Sequence, residues 1–397
     1  MGGRLSISLL GFFIVAPFFL SIGVDGNIAM NRIGSDNHSW LVTLPISLIV
    51  AFVFMVTKIK NVFVSKELLF YFTYFSICFL ILIAGKGIDY SAIKVLVFMT
   101  VFISLIFGFQ LFFHQKLKDI ADLEIAENKF ILYPLVIILL LALLSHYYFV
   151  NLQTILDNQE FFHKSTFLIN SITIYNWEQY FAFVFVLLLG SATRLNFIVF
   201  GVLFLLSLYI GGLNSNTTAL ILMMLLFGIF ISFKAISERL HPLSQKLIVF
   251  LIVTFPLVYL FFGTFIIELF NISEHGLIKR YSLVQIYFSE VDWYDLILPF
   301  GSIRPFDADN HNEFIEIFNA SSMLGFILYY YFILKRVLSI KVKFKMQMIA
   351  ILLVIFIGGI TVENTLHPYM LVSLAYFISF YVAASKKIKN EMIAKTV

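Results

Sequence analysis

Residues 271–316 read NISEHGLIKRYSLVQIYFSEVDWYDLILPFGSIRPFDADNHNEFIE. This is the one long polar interruption in a chain that is 61% hydrophobic and only 13% charged, with 48 phenylalanines. A soluble core cannot absorb that much apolar surface, so the composition is that of a polytopic membrane protein. If the chain carries chemistry, this stretch is where polar groups are concentrated enough to perform it.

Working outward, a span needs about 20 apolar residues. About twelve segments on that scale are expected, at 5–22, 40–57, 67–84, 92–113, 130–150, 178–193, 195–212, 217–234, 247–270, 313–334, 346–362 and 368–384. Spans this long in lipid must be helices, because each backbone polar group has to be satisfied within the segment. The expected fold is therefore all-α: residues 1–397 form a single transmembrane domain, and 271–312 is its dominant outer loop. No cleavage site is evident after the first span, which is expected to be retained.

Lys and Arg set the orientation. Of the 27 basic residues, 20 fall in alternate segments on one side and 7 on the other. The rich side holds Lys58, Lys60, Lys66, Lys116, Lys118, Lys335, Arg336, Lys386 and Lys387, among others. The poor side holds Arg32, Lys86, Lys94, Lys164, Lys279, Arg280 and Arg304. This asymmetry puts both termini in the cytoplasm and residues 271–312 outside. The net charge of +4 is then a topology signal and does not point to nucleic acid. Cys78 is the one cysteine, which excludes an internal disulfide and a cysteine-rich metal site. The inner loops are short and basic, and no Gly-Lys-Ser/Thr phosphate loop is present.

Within the polar stretch, Ser282, Gln285, Ser289 and Asp292 recur at helical spacing, with apolar and aromatic residues between them. The pattern is that of a helix lying along the membrane surface. Pro299-Phe300-Gly301 ends it, and Arg304-Pro305 begins a turn. Asp309 or Asn310 is expected to cap the next helix, with His311 and Asn312 in its first turn.

The candidate site residues follow from this layout. A loop histidine is by default a surface residue, but His311 stands at the mouth of a span with Arg304 seven residues before it. Asn312, Glu316 and Asn319 follow as one stripe running toward lipid, where polar groups usually face a protein cavity. The plain alternative is a frayed interfacial helix end. Arg280 and Arg304 suit headgroups or surface pairs, but also phosphate, which a planar guanidinium meets with two parallel hydrogen bonds. Asp307, Asp309 and His311 offer oxygen and nitrogen ligands, yet capping and solvation account for the acids, so no metal and no cofactor is expected.

The run Arg280…Pro299-Phe300-Gly301…His311-Asn312-Glu313-Phe314…Gly325 resembles the signature loop of the bacterial O-antigen polymerase and O-antigen ligase superfamily. The motif covers about 50 residues, and the hydropathy layout is similar across the chain. The resemblance implies a GT-C-like membrane glycosyltransferase of the bacterial inner membrane. Its donor would be a glycan on undecaprenyl diphosphate and its active site would face the periplasm. It implies that His311 is catalytic, that Arg280, with Arg304, binds the diphosphate, and that Asn312, Glu313, Glu316 and Asn319 support them. A chain-length regulator is an implied partner, along with membrane lipid. Ligases often carry a Ser-Arg pair at a short outer turn; here that turn reads Asn214-Ser215-Asn216-Thr217, which favours a polymerase. The rival class is a carrier of lipid-linked oligosaccharide. A carrier should bury charges near the bilayer midplane and pair broken helices there. In this sequence the polar residues gather in one outer loop, which favours the enzyme.

Overall fold

A computed structural model describes residues 66–84, 90–120, 122–134, 166–167, 170–173, 242–269, 297–299, 312–341, 344–360, 366 and 368–396, together with isolated helical positions at 186–187, 205, 221–222, 224–226, 228–229 and 285. These residues are helical apart from connecting turns and one two-stranded hairpin. The helices are α1 (Lys66–Ala84), α2 (Tyr90–Lys116), α3 (Leu123–Glu127), α4 (Pro242–Leu269), α5 (Glu313–Val337), α6 (Lys345–Leu352) and α7 (Pro368–Thr396). The strands β1 (Thr166–Phe167) and β2 (Asn170–Thr173) pair antiparallel, Thr166 opposite Thr173. The hairpin lies between the spans expected at 130–150 and 178–193.

Among the described residues, four helices are long and apolar enough to cross a membrane: α1, the Val95–Lys116 part of α2, α5, and the Met370–Ile393 part of α7. They correspond to the expected spans at 67–84, 92–113, 313–334 and 368–384. The expected spans at 5–22 and 40–57 lie outside the described residues, as do most of those at 130–150, 178–193, 195–212 and 217–234. The span expected at 346–362 is irregular: α6 passes into a π-helical turn at Leu353–Ile357 and a 3-10 turn at Gly358–Ile360. The one at 247–270 is α4, which contains Pro256 and is broken at Phe262.

Aromatic residues build the core. In α1, Tyr71, Phe75, Cys78 and Leu82 are buried at spacings of four, three and four, while Leu69, Phe70 and Leu80 on the other faces are more than half exposed. Such a stripe packs one helix face and leaves the rest for an apolar solvent. At the centre α2 lies against α7, with Phe113 edge-on to Tyr376 (4.9 Å) and to Phe380 (5.2 Å). Its other side meets α5 through Phe102–Tyr329 and Phe107–Phe332. Edge-to-face pairs of this kind each add about 0.5–1.5 kcal/mol beyond their burial.

The basic ends gather at one end of the bundle. Glu67, in the first turn of α1, pairs with Lys335 (3.1 Å) and Arg336 (2.6 Å) in the last turn of α5. The Arg336 guanidinium also lies over the rings of Phe107 and Phe332. Lys387 of α7 donates to the carbonyls of Leu117 (2.8 Å) and Ile120, closing the end of α2. Thus α1 runs opposite to α2, α5 and α7, and Lys66, Lys118, Lys335 and Lys387 share one end. The Lys and Arg pattern expects these four basic residues on one side.

Candidate functional site

The expected straight span at 313–334 is instead a helix that folds back. The Tyr330 hydroxyl donates to Glu313 Oε1 at 2.9 Å, and the rings of Phe314 and Tyr330 stand 5.2 Å apart. Seventeen residues of straight helix would separate Glu313 from Tyr330 by about 25 Å. The reversal is at Ser322, whose φ of 66° and ψ of 177° lie in a region that is costly for any residue with a Cβ. Residues 313–321 form a short arm laid beside the longer arm 323–337. Gly325 permits the turn, since a Cβ there would sit 2.5 Å from Ser321 Cβ.

Three elements hold the turn. Ser322 Oγ donates to the Ile297 carbonyl at 2.8 Å. From α1, the Tyr74 hydroxyl lies 3.0 Å from the Ser321 carbonyl and 3.1 Å from Ser322 Oγ. Ser321 Oγ donates back to Ile317 O. Non-helical backbone at membrane depth requires such partners. The Ile297–Pro299 part of the polar stretch is thereby fastened to the break.

Asn312 caps the short arm, two or three residues later than the cap expected at Asn310 or Asp309. Its backbone is extended, and its Oδ1 accepts from Phe314 N (3.1 Å) and Ile315 N (3.4 Å). It displaces Asp309 and Asn310 as the cap because the helix starts only at Glu313. Asn312 is 1% exposed, Glu313 0% and Glu316 8%, while Asn319 is half-buried. A frayed interfacial end would leave these groups in water; here the arm carries them into the bundle. Glu313 and Phe314 rest against Gly359, whose missing side chain leaves room for the Phe314 ring, and Tyr330 packs on Phe356. The arm therefore lies against the irregular turns that follow α6. Asn312 Nδ2 is buried with no acceptor among the described residues, a condition that costs about 1–3 kcal/mol for a polar group.

His311, Arg280 and Arg304 lie outside the described residues, as do Asp307 and Asp309. Of the surface-helix pattern, Gln285 alone is described, and it is helical and exposed. Tyr330, Ser322 and Tyr74 belong to the site and were not singled out in the sequence. The one local signal was a pair of serines with a glycine three residues on, inside an apolar run; such pairs bend helices.

A second buried carboxylate sits near the basic end. Glu127 Oε1 accepts from Tyr381 (2.9 Å) and Gln347 (3.2 Å), where α3 passes into a π-helical turn at Asn128–Leu132. Tyr376 donates to the Phe130 carbonyl within that turn. Each of these residues is buried, and the cluster ties α3 to α6 and α7.

Comparison with protein-family models, with curated proteins and with solved structures gave no match to this chain.

Proposed function

We propose that the chain is a membrane glycosyltransferase that joins oligosaccharide repeat units carried on undecaprenyl diphosphate, an O-antigen or related surface-polysaccharide polymerase of the bacterial inner membrane. The observation that carries this reading is the burial of Asn312, Glu313 and Glu316 on a folded-back arm directly after His311. The polar motif continues into the bundle, as a substrate site requires and a surface decoration does not. In the reaction an acceptor hydroxyl attacks the anomeric carbon of the donor sugar and the lipid diphosphate leaves. His311 takes the hydroxyl proton. Arg280 and Arg304 hold the charge that develops on the departing diphosphate. No nucleotide, metal or cofactor enters the reaction. The lipid chain, membrane lipid and a chain-length regulator are the partners. Ligation of glycan to a lipid core is the nearest alternative outcome of the same chemistry.

The test is purified protein with lipid-linked repeat units, scored by polymer ladder and by donor binding. Wild type should give a ladder. His311→Ala should abolish it while donor still binds. Arg280→Ala and Arg304→Ala should be severely impaired, and Arg280→Lys reduced, because lysine keeps the charge without the fork. Full ladders from all four variants would sink the mechanism.

One observation favours a second reading, a carrier of lipid-linked oligosaccharide. The arm that ends at the Ser322 break rests by its start on the irregular Leu353–Ile360 segment, with Glu313 buried against Gly359. Paired broken helices around a buried carboxyl are a carrier's usual equipment. Movement of labelled lipid-linked oligosaccharide across liposomes, with no ladder, would select it.

A further inference from the structure

We propose that the Asn312 side-chain amide reads the sugar: Nδ2 donates to an oxygen of an uncharged, hydroxyl-rich ring of the bound glycan. The assignment rests on the glycosyltransferase reading above and adds to it the group recognised and the residue that recognises it.

Asn312 divides its amide between two tasks. Its Oδ1 is committed to the arm, accepting from Phe314 N and Ile315 N. Its Nδ2 is 1% exposed as part of the residue and meets no acceptor among the described residues. A buried donor without a partner calls for an explanation, and a ligand oxygen supplies one. The donor also stands at the N-terminus of the arm, where the backbone dipoles favour an acceptor atom. The neighbouring side chains narrow the ligand further. Glu313 follows directly, and Glu316 lies four residues on, on the same helix face. Both are buried carboxyls. Two acids next to the donor disfavour a second anion there, so Nδ2 suits a neutral sugar oxygen and not the diphosphate.

The experiment separates the cap from the donor. Asn312→Ser keeps a side-chain oxygen that caps about as well as asparagine, adds no charge, and removes the amide N–H. Asn312→Asp keeps both shape and cap but replaces the donor with an acceptor. Purified wild type and variants are assayed with lipid-linked repeat units for KM and kcat, alongside thermal unfolding in detergent. Asn312→Ser should unfold within a few degrees of wild type, Asn312→Asp lower because it buries a carboxyl beside two others, and both should show KM raised about tenfold, which corresponds to about 1.4 kcal/mol of lost binding. Wild-type KM in Asn312→Ser overturns the inference alone. So does a loss of activity in both variants that follows a matching loss of thermal stability, which assigns Asn312 to structure. No product from wild-type protein overturns the polymerase reading and this inference together.

Discussion

Tyr330 hydrogen-bonds Glu313 at 2.9 Å across 17 residues of what hydropathy treats as one span. That bond defines the arm: it can form only if the chain reverses between the two residues. It also gives the buried Glu313 a donor from the same element, so the reversal and the carboxyl's satisfaction depend on each other.

A double-mutant cycle tests the pair. Tyr330→Phe removes one hydroxyl and leaves the ring packed against Phe314, Phe326 and Phe356. It should destabilise by about 1–3 kcal/mol, because a buried carboxyl loses a donor. Glu313→Gln in the Tyr330→Phe background should cost less than the sum of the single changes. Unfolding of the four proteins in detergent gives the coupling. Sites more than about 7–10 Å apart add to within roughly 0.3–0.5 kcal/mol, so additivity at that level would mean the arm is not folded back.

Ser322 offers a test of sign. In a helix interior alanine is more stable than glycine by about 1 kcal/mol. At φ 66° and ψ 177° the order should invert, because this backbone region is nearly reserved for glycine and costs a residue with a Cβ about 1–3 kcal/mol. Ser322→Gly and Ser322→Ala lose the same bond to the Ile297 carbonyl, so the comparison isolates the backbone. Thermal unfolding should place the glycine variant above the alanine variant. The ordinary helical order would show a continuous α5.

What the sequence conveyed and what it withheld divide along physical lines. Hydropathy counts apolar residues along the chain, and it located 67–84 almost to the residue where α1 runs Lys66–Ala84. It carries no information about direction, so 313–334 read as a crossing although the chain turns at Ser322. The motif Asn312-Glu313-Phe314…Gly325 was visible, but the reason for Gly325 was not: it is the closeness of Ser321 across the reversal. Glu127 would be counted among the charges of an inner loop. It is buried because Gln347 and Tyr381, 220 and 254 residues away, close over it, and no local pattern encodes a partner at that distance.

The last prediction concerns orientation. The Glu67 pairs with Lys335 and Arg336 put the start of α1 beside the end of α5. Lys387 likewise puts the far part of α7 beside the end of α2. The geometry alone requires Lys66, Lys118, Ser339 and Lys389, which are all exposed, to lie on one side of any membrane the bundle crosses. The basic excess selects the cytoplasm as that side, and the sequence expectation puts residues 271–312 on the other. Cys78, the chain's one cysteine, is fully buried, so introduced thiols can be read against it. Single cysteines at 66, 118, 339 and 389 should resist a membrane-impermeant maleimide in intact cells and react after permeabilisation. Ser289→Cys should react from outside. One of the four behaving unlike the others would contradict the packing of α1, α2, α5 and α7. If all four react from outside, the packing stands and the orientation inverts. Arg280, Arg304 and His311 would then face the cytoplasm, and a periplasmic glycosyltransferase could not be built from them.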